Sequence, residues 1–182
     1  MVSFTIDADL VKAACECVAS KHECIGHRAG LGCICFNGDK VIATDSYILF
    51  EGCGARGENP PEWLLLDPAI FSKARNTDKV TIEGEPDALT VTIEPRKGAK
   101  TVLLTKTESK YFPISYEQMF HDLKRKPIET WCFTPELMQK AMKAASKLRD
   151  RAIMKAYMHG TDKPLILVND NCRFLIMNAK EV

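Results

Sequence analysis

An α+β fold assembled from repeated β-α-β-β-β units is what this chain predicts, and two patterns predict it. The first is a local grammar that occurs three times: a short apolar strand runs into a helix-capping residue and then an amphipathic helix. The copies are Phe4-Thr5-Ile6-Asp7, Leu64-Leu65-Leu66-Asp67-Pro68 and Trp131-Cys132-Phe133-Thr134-Pro135, with caps at 7, 67 and 134. Asp and Thr side chains accept from the orphan N–H groups of a first helical turn, and Pro at the next position sacrifices no hydrogen bond. The spacing of roughly sixty residues is longer than most solenoid repeats. The second pattern is apolar/polar alternation punctuated by turn residues after each helix, as antiparallel strands require. A helix laid on one face of such a sheet gives an α+β layer arrangement.

In the first unit, a helix over residues 9–20 follows from Leu10, Ala14, Cys17 and Val18, which form an apolar stripe at helical spacing. Strands follow over 31–36, 40–44 and 47–50. The Asn37-Gly38 pair between two apolar runs is a hairpin signal, because both residues tolerate positive φ. Residues 57–61, rich in Gly, Asn and Pro, read as a connector. The second unit has a short helix over 68–75 and strands over 79–83, 88–94 and 99–105, with turns at Glu85-Pro86-Asp87 and Arg96-Lys97-Gly98. Residues 121–129 are charged, contain Pro127 and read as a linker. The third unit opens with a strand at 131–133 and a helix over 135–149. Strands over 152–158, 165–169 and 172–177 complete it. The expected division is residues 1–124, holding two units, and residues 125–182, holding the third.

Composition narrows the function. The 182 residues carry a formal net charge of +1, so any nucleic-acid contact must come from locally placed charge. No apolar run reaches the ~20 residues that span a bilayer, and no signal peptide opens the sequence, so a cytoplasmic, membrane-free protein is expected. Among eight cysteines, Cys15, Cys17, Cys24, Cys33 and Cys35 fall near His22 and His27. Two C-x-C pairs match none of the usual zinc signatures. Cys33 and Cys35 share one face of a strand, whereas Cys15 and Cys17 stand about 200° apart on a helix. Reduced core thiols are the reading, with no metal and no cofactor expected; a zinc site is the alternative. Catalysis finds no support either. The glycines at 26, 30 and 32 do not lead from a strand into a helix, so they are no phosphate cradle. Asp45 has no partnered carboxylate at a telling spacing, and a non-enzyme is expected.

With the repeat in hand, particular residues carry a family resemblance. Ile42-Ala43-Thr44-Asp45-Ser46-Tyr47-Ile48-Leu49 resembles the VATDGHRL segment in the middle domain of the bacterial DNA polymerase III beta subunit, the sliding clamp. Lys110-Tyr111-Phe112-Pro113-Ile114-Ser115-Tyr116 is similar to that domain's closing GKFPDY segment. Phe133-Thr134-Pro135-Glu136-Leu137 and Phe174-Leu175-Ile176-Met177-Asn178-Ala179-Lys180 resemble the opening and end of the clamp's last half-domain. The resemblance implies the DNA-clamp, or processivity, fold. A clamp protomer has six such half-domains and this chain three, so it resembles the middle domain plus the last half-domain.

Two surfaces follow from that resemblance. Clamps face DNA with their helices and hold it without reading sequence, which needs cations at phosphate distance. Lys140, Lys143, Lys147 and Arg151 fall on one face of the third helix, opposite Leu137, Ala141, Ala144 and Leu148, and Lys73 and Arg75 extend the line from the second. A solvated helix face is the alternative reading of that row. The family's second surface is an apolar cleft for peptide tails of polymerases and other partners. Here Thr44, Leu49 and Met177 are kept. Ser46-Tyr47-Ile48 replaces Gly-His-Arg, Asn178-Ala179 replaces Pro-Met, and Met119 and Phe120 stand near the remaining wall. The implied partners are double-stranded DNA, polymerase or clamp-binding peptides, and further copies of the chain. Three half-domains per chain and twelve per ring would mean four chains.

Overall fold

The structure, a computed structural model, describes residues 1–20, 22–24, 26–108, 112, 120, 131–148, 154–160 and 163–178. The first unit comprises β1 (Val2–Asp7), α1 (Ala8–Cys15), a 3-10 segment (Gly26–Gly32), β2 (Ile34–Asn37), β3 (Lys40–Thr44), β4 (Ile48–Cys53) and β5 (Arg56–Asn59). The second comprises β6 (Leu64–Leu66), a 3-10 turn (Pro68–Phe71), β7 (Lys79–Glu85), β8 (Ala88–Glu94) and β9 (Thr101–Thr105). The third contributes α2 (Pro135–Ala145), β10 (Lys155–Tyr157), β11 (Leu165–Val168) and β12 (Cys172–Ile176). No described helix is long and apolar enough to cross a membrane.

The strands form two antiparallel sheets, in the orders β5-β1-β7-β8-β9 and β10-β11-β12-β4-β3-β2-β6. Neither sheet belongs to one unit. β1 runs beside β7 of the second unit, with Ile6 facing Val80, and β6 runs beside β2 of the first, with Leu66 facing Ile34. β12 of the third unit pairs with β4 of the first over Phe174↔Phe50 and Leu175↔Leu49. The seven-stranded sheet is therefore continuous across the seam between first and third units.

Alternation along the strands builds two cores. Phe4, Phe36, Phe50, Phe71 and Phe174 face the helices, joined by Ala13 and Ala14 of α1 and Ala141 and Ala144 of α2. Phe50 and Phe174 meet across the seam at 5.0 Å between ring centroids. Cys33, Cys35, Ile42, Leu49, Leu65, Ile166 and Leu175 form a second cluster on the sheet's opposite face, closed over by Phe112 and Phe120. Each side chain of this size is worth about 1.5–3 kcal/mol when fully buried. Burial on both faces explains why β3 and β4 read as continuous apolar runs. Cys33 and Cys35 lie together in the second cluster, and burial pushes the Cys35 thiol up to about 12. The same desolvation raises Cys15 and Cys172 to about 12 and Cys17 further still.

Several local expectations are corrected. Asp67 accepts from the Ala69 N–H at 2.8 Å as a cap should, but Asp7 and Thr134 make no side-chain cap bond. At α1 the Ala8 N–H goes instead to the Asp78 carbonyl at 3.0 Å, because the second unit packs against this helix start. α1 ends at Cys15 rather than 20, and the second unit's helix is a single 3-10 turn. Residues 57–61 are not merely a connector: Arg56–Asn59 adds β5 to the free side of β1. Gly57 permits this, since a Cβ there would stand 2.1 Å from the Ser3 carbonyl oxygen. Residues 131–133 form no strand; Trp131 stacks on Phe133 at 5.6 Å and donates its indole N–H to the Lys163 carbonyl at 3.0 Å. The expected linker at 121–129 lies outside the described residues.

Candidate peptide cleft and basic face

The cleft residues gather around the turn that joins β3 to β4. The Thr44 hydroxyl accepts from the Ser46 N–H at 3.1 Å. The Asp45 carboxylate accepts from the Tyr47 and Ile48 N–H groups at 2.9 and 2.8 Å. These bonds hold Ser46 at φ +81°, a conformation that costs a non-glycine residue free energy and persists only when its surroundings impose it. Tyr47 is thereby turned outward and is 52% exposed. Its carbonyl accepts from the Met177 N–H at 2.9 Å, so the chain leaving β12 is tied to the turn.

Thr44, Ser46, Tyr47, Ile48, Leu49, Leu175 and Met177 line one hollow of about 30 Å³. That is room for about one water-sized group, so the hollow can anchor a side chain but not enclose a ligand. Four residues expected from sequence, Thr44, Tyr47, Leu49 and Met177, thus stand around the same small pocket. Phe120 belongs to the apolar cluster beneath it, and Met119 lies outside the described residues. The guanidinium of Arg173 sits 3.7 Å from the Phe120 ring centroid, and its Nε stands 2.8 Å from the Glu51 carboxylate. Sequence reading missed Leu175 and Arg173. The period of two that places Leu175 in register with Met177 was the available signal for the former.

The basic residues divide into two groups. Lys140 forms an ion pair with Asp45 and donates to the Val18 carbonyl at 3.3 Å. Lys143 lies 2.8 Å and Lys147 3.6 Å from the carboxylate of Glu16. The row on α2 is therefore matched by acids of the first unit, which correlates poorly with a bare phosphate-binding stripe. Arg151 lies outside the described residues. Lys73 and Arg75 are exposed and, with Lys97, line a separate hollow of about 260 Å³ beside the β8–β9 turn. Asp45, assigned no role by the sequence, is the shared hub of turn and ion pair. Its partner lies ninety-five positions away, beyond any local pattern.

Among the described residues no three His, Cys, Asp or Glu side chains are grouped as metal ligands would be.

First strands exchanged between residues 2–7 and 64–66, a seven-stranded sheet continuous from β4 to β12 and helices behind it give the architecture of a DNA sliding clamp. Solved structures that share it include DNA polymerase III beta subunits. The beta subunit of Thermotoga maritima matches with a TM-score of 0.62 at 12% identity, over 99% of this chain and 65% of that one. The Borrelia burgdorferi subunit matches with a TM-score of 0.67 at 9% identity, over 100% and 65%. The sliding clamp of Pseudomonas aeruginosa matches with a TM-score of 0.61 at 11% identity, over 99% and 67%. This chain therefore spans about two thirds of the length of the clamps it matches. No protein-family model and no curated protein matches the sequence.

Proposed function

We propose that this chain is a sliding-clamp-like factor: a non-catalytic protein that associates with double-stranded DNA regardless of sequence and tethers partner proteins there. The observation that carries the reading is the seam. The seven-stranded sheet runs from the third unit into the first with α1 and α2 packed behind it, and the cleft residues sit at the seam's edge. Residues 1–124 act as one clamp domain and 125–182 as a further half-domain. DNA contact falls to Lys73, Arg75, Lys143, Lys147 and Arg151, with Lys140 retained by Asp45. An extended partner peptide places an apolar side chain between Tyr47 and Met177, beside Thr44 and Leu49, above the cluster that holds Phe120; Met119 is proposed as a further contact. A groove of this kind needs an apolar floor and a few polar groups to set register.

The test is retention on closed circular DNA. A clamp stays on circles and slides off when they are cut, and its affinity falls steeply with salt. A protein that leaves circles and linear DNA equally fast sinks the clamp reading.

A second reading, an adaptor that uses the cleft without encircling DNA, is favoured by one observation: Lys140, Lys143 and Lys147 are all matched to Asp45 and Glu16. It predicts peptide binding that Met177→Asp abolishes, together with no retention on circles.

A further inference from the structure

Lys140 stands in the basic row of α2, but its contacts set it apart from the rest of that row. Lys143 and Lys147 meet Glu16, whereas Lys140, of the three, meets the β3–β4 turn. It is fixed by two acceptors of the first unit: the Val18 carbonyl just past α1, at 3.3 Å, and the buried Asp45 carboxylate. The other oxygen of that carboxylate accepts the Tyr47 and Ile48 N–H groups. A chain of direct contacts thus runs from α2 through Asp45 to Tyr47, and from the Tyr47 carbonyl to the Met177 N–H. Tyr47 and Met177 are two of the walls of the cleft hollow.

We propose that Lys140 is a positioning residue for the cleft: acting through Asp45, it fixes the β3–β4 turn in the conformation that presents Tyr47 and Met177 to a partner peptide. The inference rests on the cleft reading above, and it assigns to the cleft a lysine that the helical row alone would give to DNA. Its physical ground is the burial of Asp45, whose side chain is 8% exposed. A carboxylate so far from water is costly without a cation, so once the ammonium is removed it swings toward solvent. A redirected carboxylate no longer holds the Tyr47 and Ile48 N–H groups. Ser46 at φ +81° stores strain that the turn then releases. The Thr44 hydroxyl, which accepts from the Ser46 N–H at 3.1 Å, does not span the turn by itself. Tyr47 leaves its place beside Met177, and only a fraction of the molecules keep a formed cleft. A ligand binds such a mixture with its affinity reduced by that fraction.

The experiment follows Tyr47 directly, in the full chain carrying 3-fluorotyrosine at that position. The wild-type fluorine resonance should be a single line, and Lys140→Met should shift it or split it into a second environment. Lys100→Met, which removes an exposed pair with Glu94 on the other sheet, should leave it in place. The discriminating variant is Asp45→Asn in the Lys140→Met background. A neutral carboxamide still accepts from the turn and needs no cation, so the double variant should return the line toward wild type. A general loosening of the fold would leave it displaced. The probe for the cleft is the capped tripeptide Ac-Gly-Leu-Gly-NH2. Its affinity for Lys140→Met should fall about tenfold where about one molecule in ten keeps the turn, and should recover in the double variant. A Tyr47 line unmoved by Lys140→Met overturns the proposal, as does a double variant no closer to wild type than the single one. Peptide affinity unchanged in a chain whose Tyr47 line has moved also overturns it. A wild-type line that ignores the peptide overturns the cleft reading and this proposal with it, so the two failures are told apart. If Lys140→Met fails to fold by circular dichroism, Lys140→Gln carries the same comparison.

Discussion

Asp45→Ala tests whether the β3–β4 turn and the seam between units are held by one side chain. Asp45 is 8% exposed at its side chain, and its oxygens divide the work: one accepts two backbone N–H groups and the other meets Lys140. A hydrogen bond to a charged group contributes about 1.5–3 kcal/mol, and removing the carboxylate also strands the half-buried Lys140 ammonium. The expected loss is about 3 kcal/mol in urea unfolding followed by tryptophan fluorescence. Asp45→Asn keeps an acceptor for the turn and should cost about half of that. A double-mutant cycle with Lys140→Met, which retains the apolar stem, isolates the ion pair; the coupling should be about 2 kcal/mol. The Lys143–Glu16 pair, with Lys143 62% exposed, should give a coupling near zero to 1 kcal/mol in the same assay. A coupling below about 0.5 kcal/mol for Asp45 and Lys140 would refute the reasoning, since it would equate a half-buried pair with a surface one.

Three further outcomes are expected. Gly57→Ala should destabilise by about 1–3 kcal/mol in the same unfolding assay, because the new Cβ meets backbone atoms of Ser3 and Phe4 rather than a yielding side chain. Glu51→Ala should cost about 3 kcal/mol, since the Glu51 carboxylate is 5% exposed and sits 2.8 Å from Arg173 and 3.6 Å from Lys40; Glu51→Leu should recover part of the loss. Stability should fall in alkali. Burial lifts the Cys35 and Cys172 thiols from 9.0 to about 12, so the folded chain keeps protons that the unfolded chain releases. The stabilisation is complete below pH 9 and is lost between 9 and 12, by about 1.4 kcal/mol per thiol per pH unit. Urea titrations at pH 8 and 10 check it, and Cys35→Ala should flatten the dependence.

Local grammar was legible wherever the chain decides locally. The hairpin between β2 and β3, its turn formed by Gly38-Asp39 with Gly38 at φ +61°, the alternating Leu89-Thr90-Val91-Thr92-Ile93 run and the Asp67-Pro68 cap each appear where their chemistry requires. What stayed hidden was set by distant partners. β5 looks like a loop because Gly57, Asn59 and Pro60 suit turns, and only the approach of Ser3 makes it a strand. Residues 131–133 look like a strand, yet Trp131 stacks on Phe133 and donates to the Lys163 carbonyl, a partner thirty-two positions away. The lysine row on α2 was visible as a helical stripe, but its meaning depends on Glu16 and Asp45, which arrive from the first unit. At the cleft, Thr44, Leu49 and Met177 were legible through resemblance, whereas Arg173 reaches the site only because β12 crosses to β4.

The crossing of β12 to β4 also sets a clock on synthesis. β4 is complete early, but its pairing partner follows roughly 120 residues later, a delay of about 6–24 s at ribosomal rates of ~5–20 residues per second. During that interval a twisted sheet with Phe50 at its margin has an open hydrogen-bonding edge, the surface most prone to join a neighbouring nascent chain. The strand that finally closes it is among the last described residues, so the amino-terminal unit is kept waiting for the carboxy-terminal one.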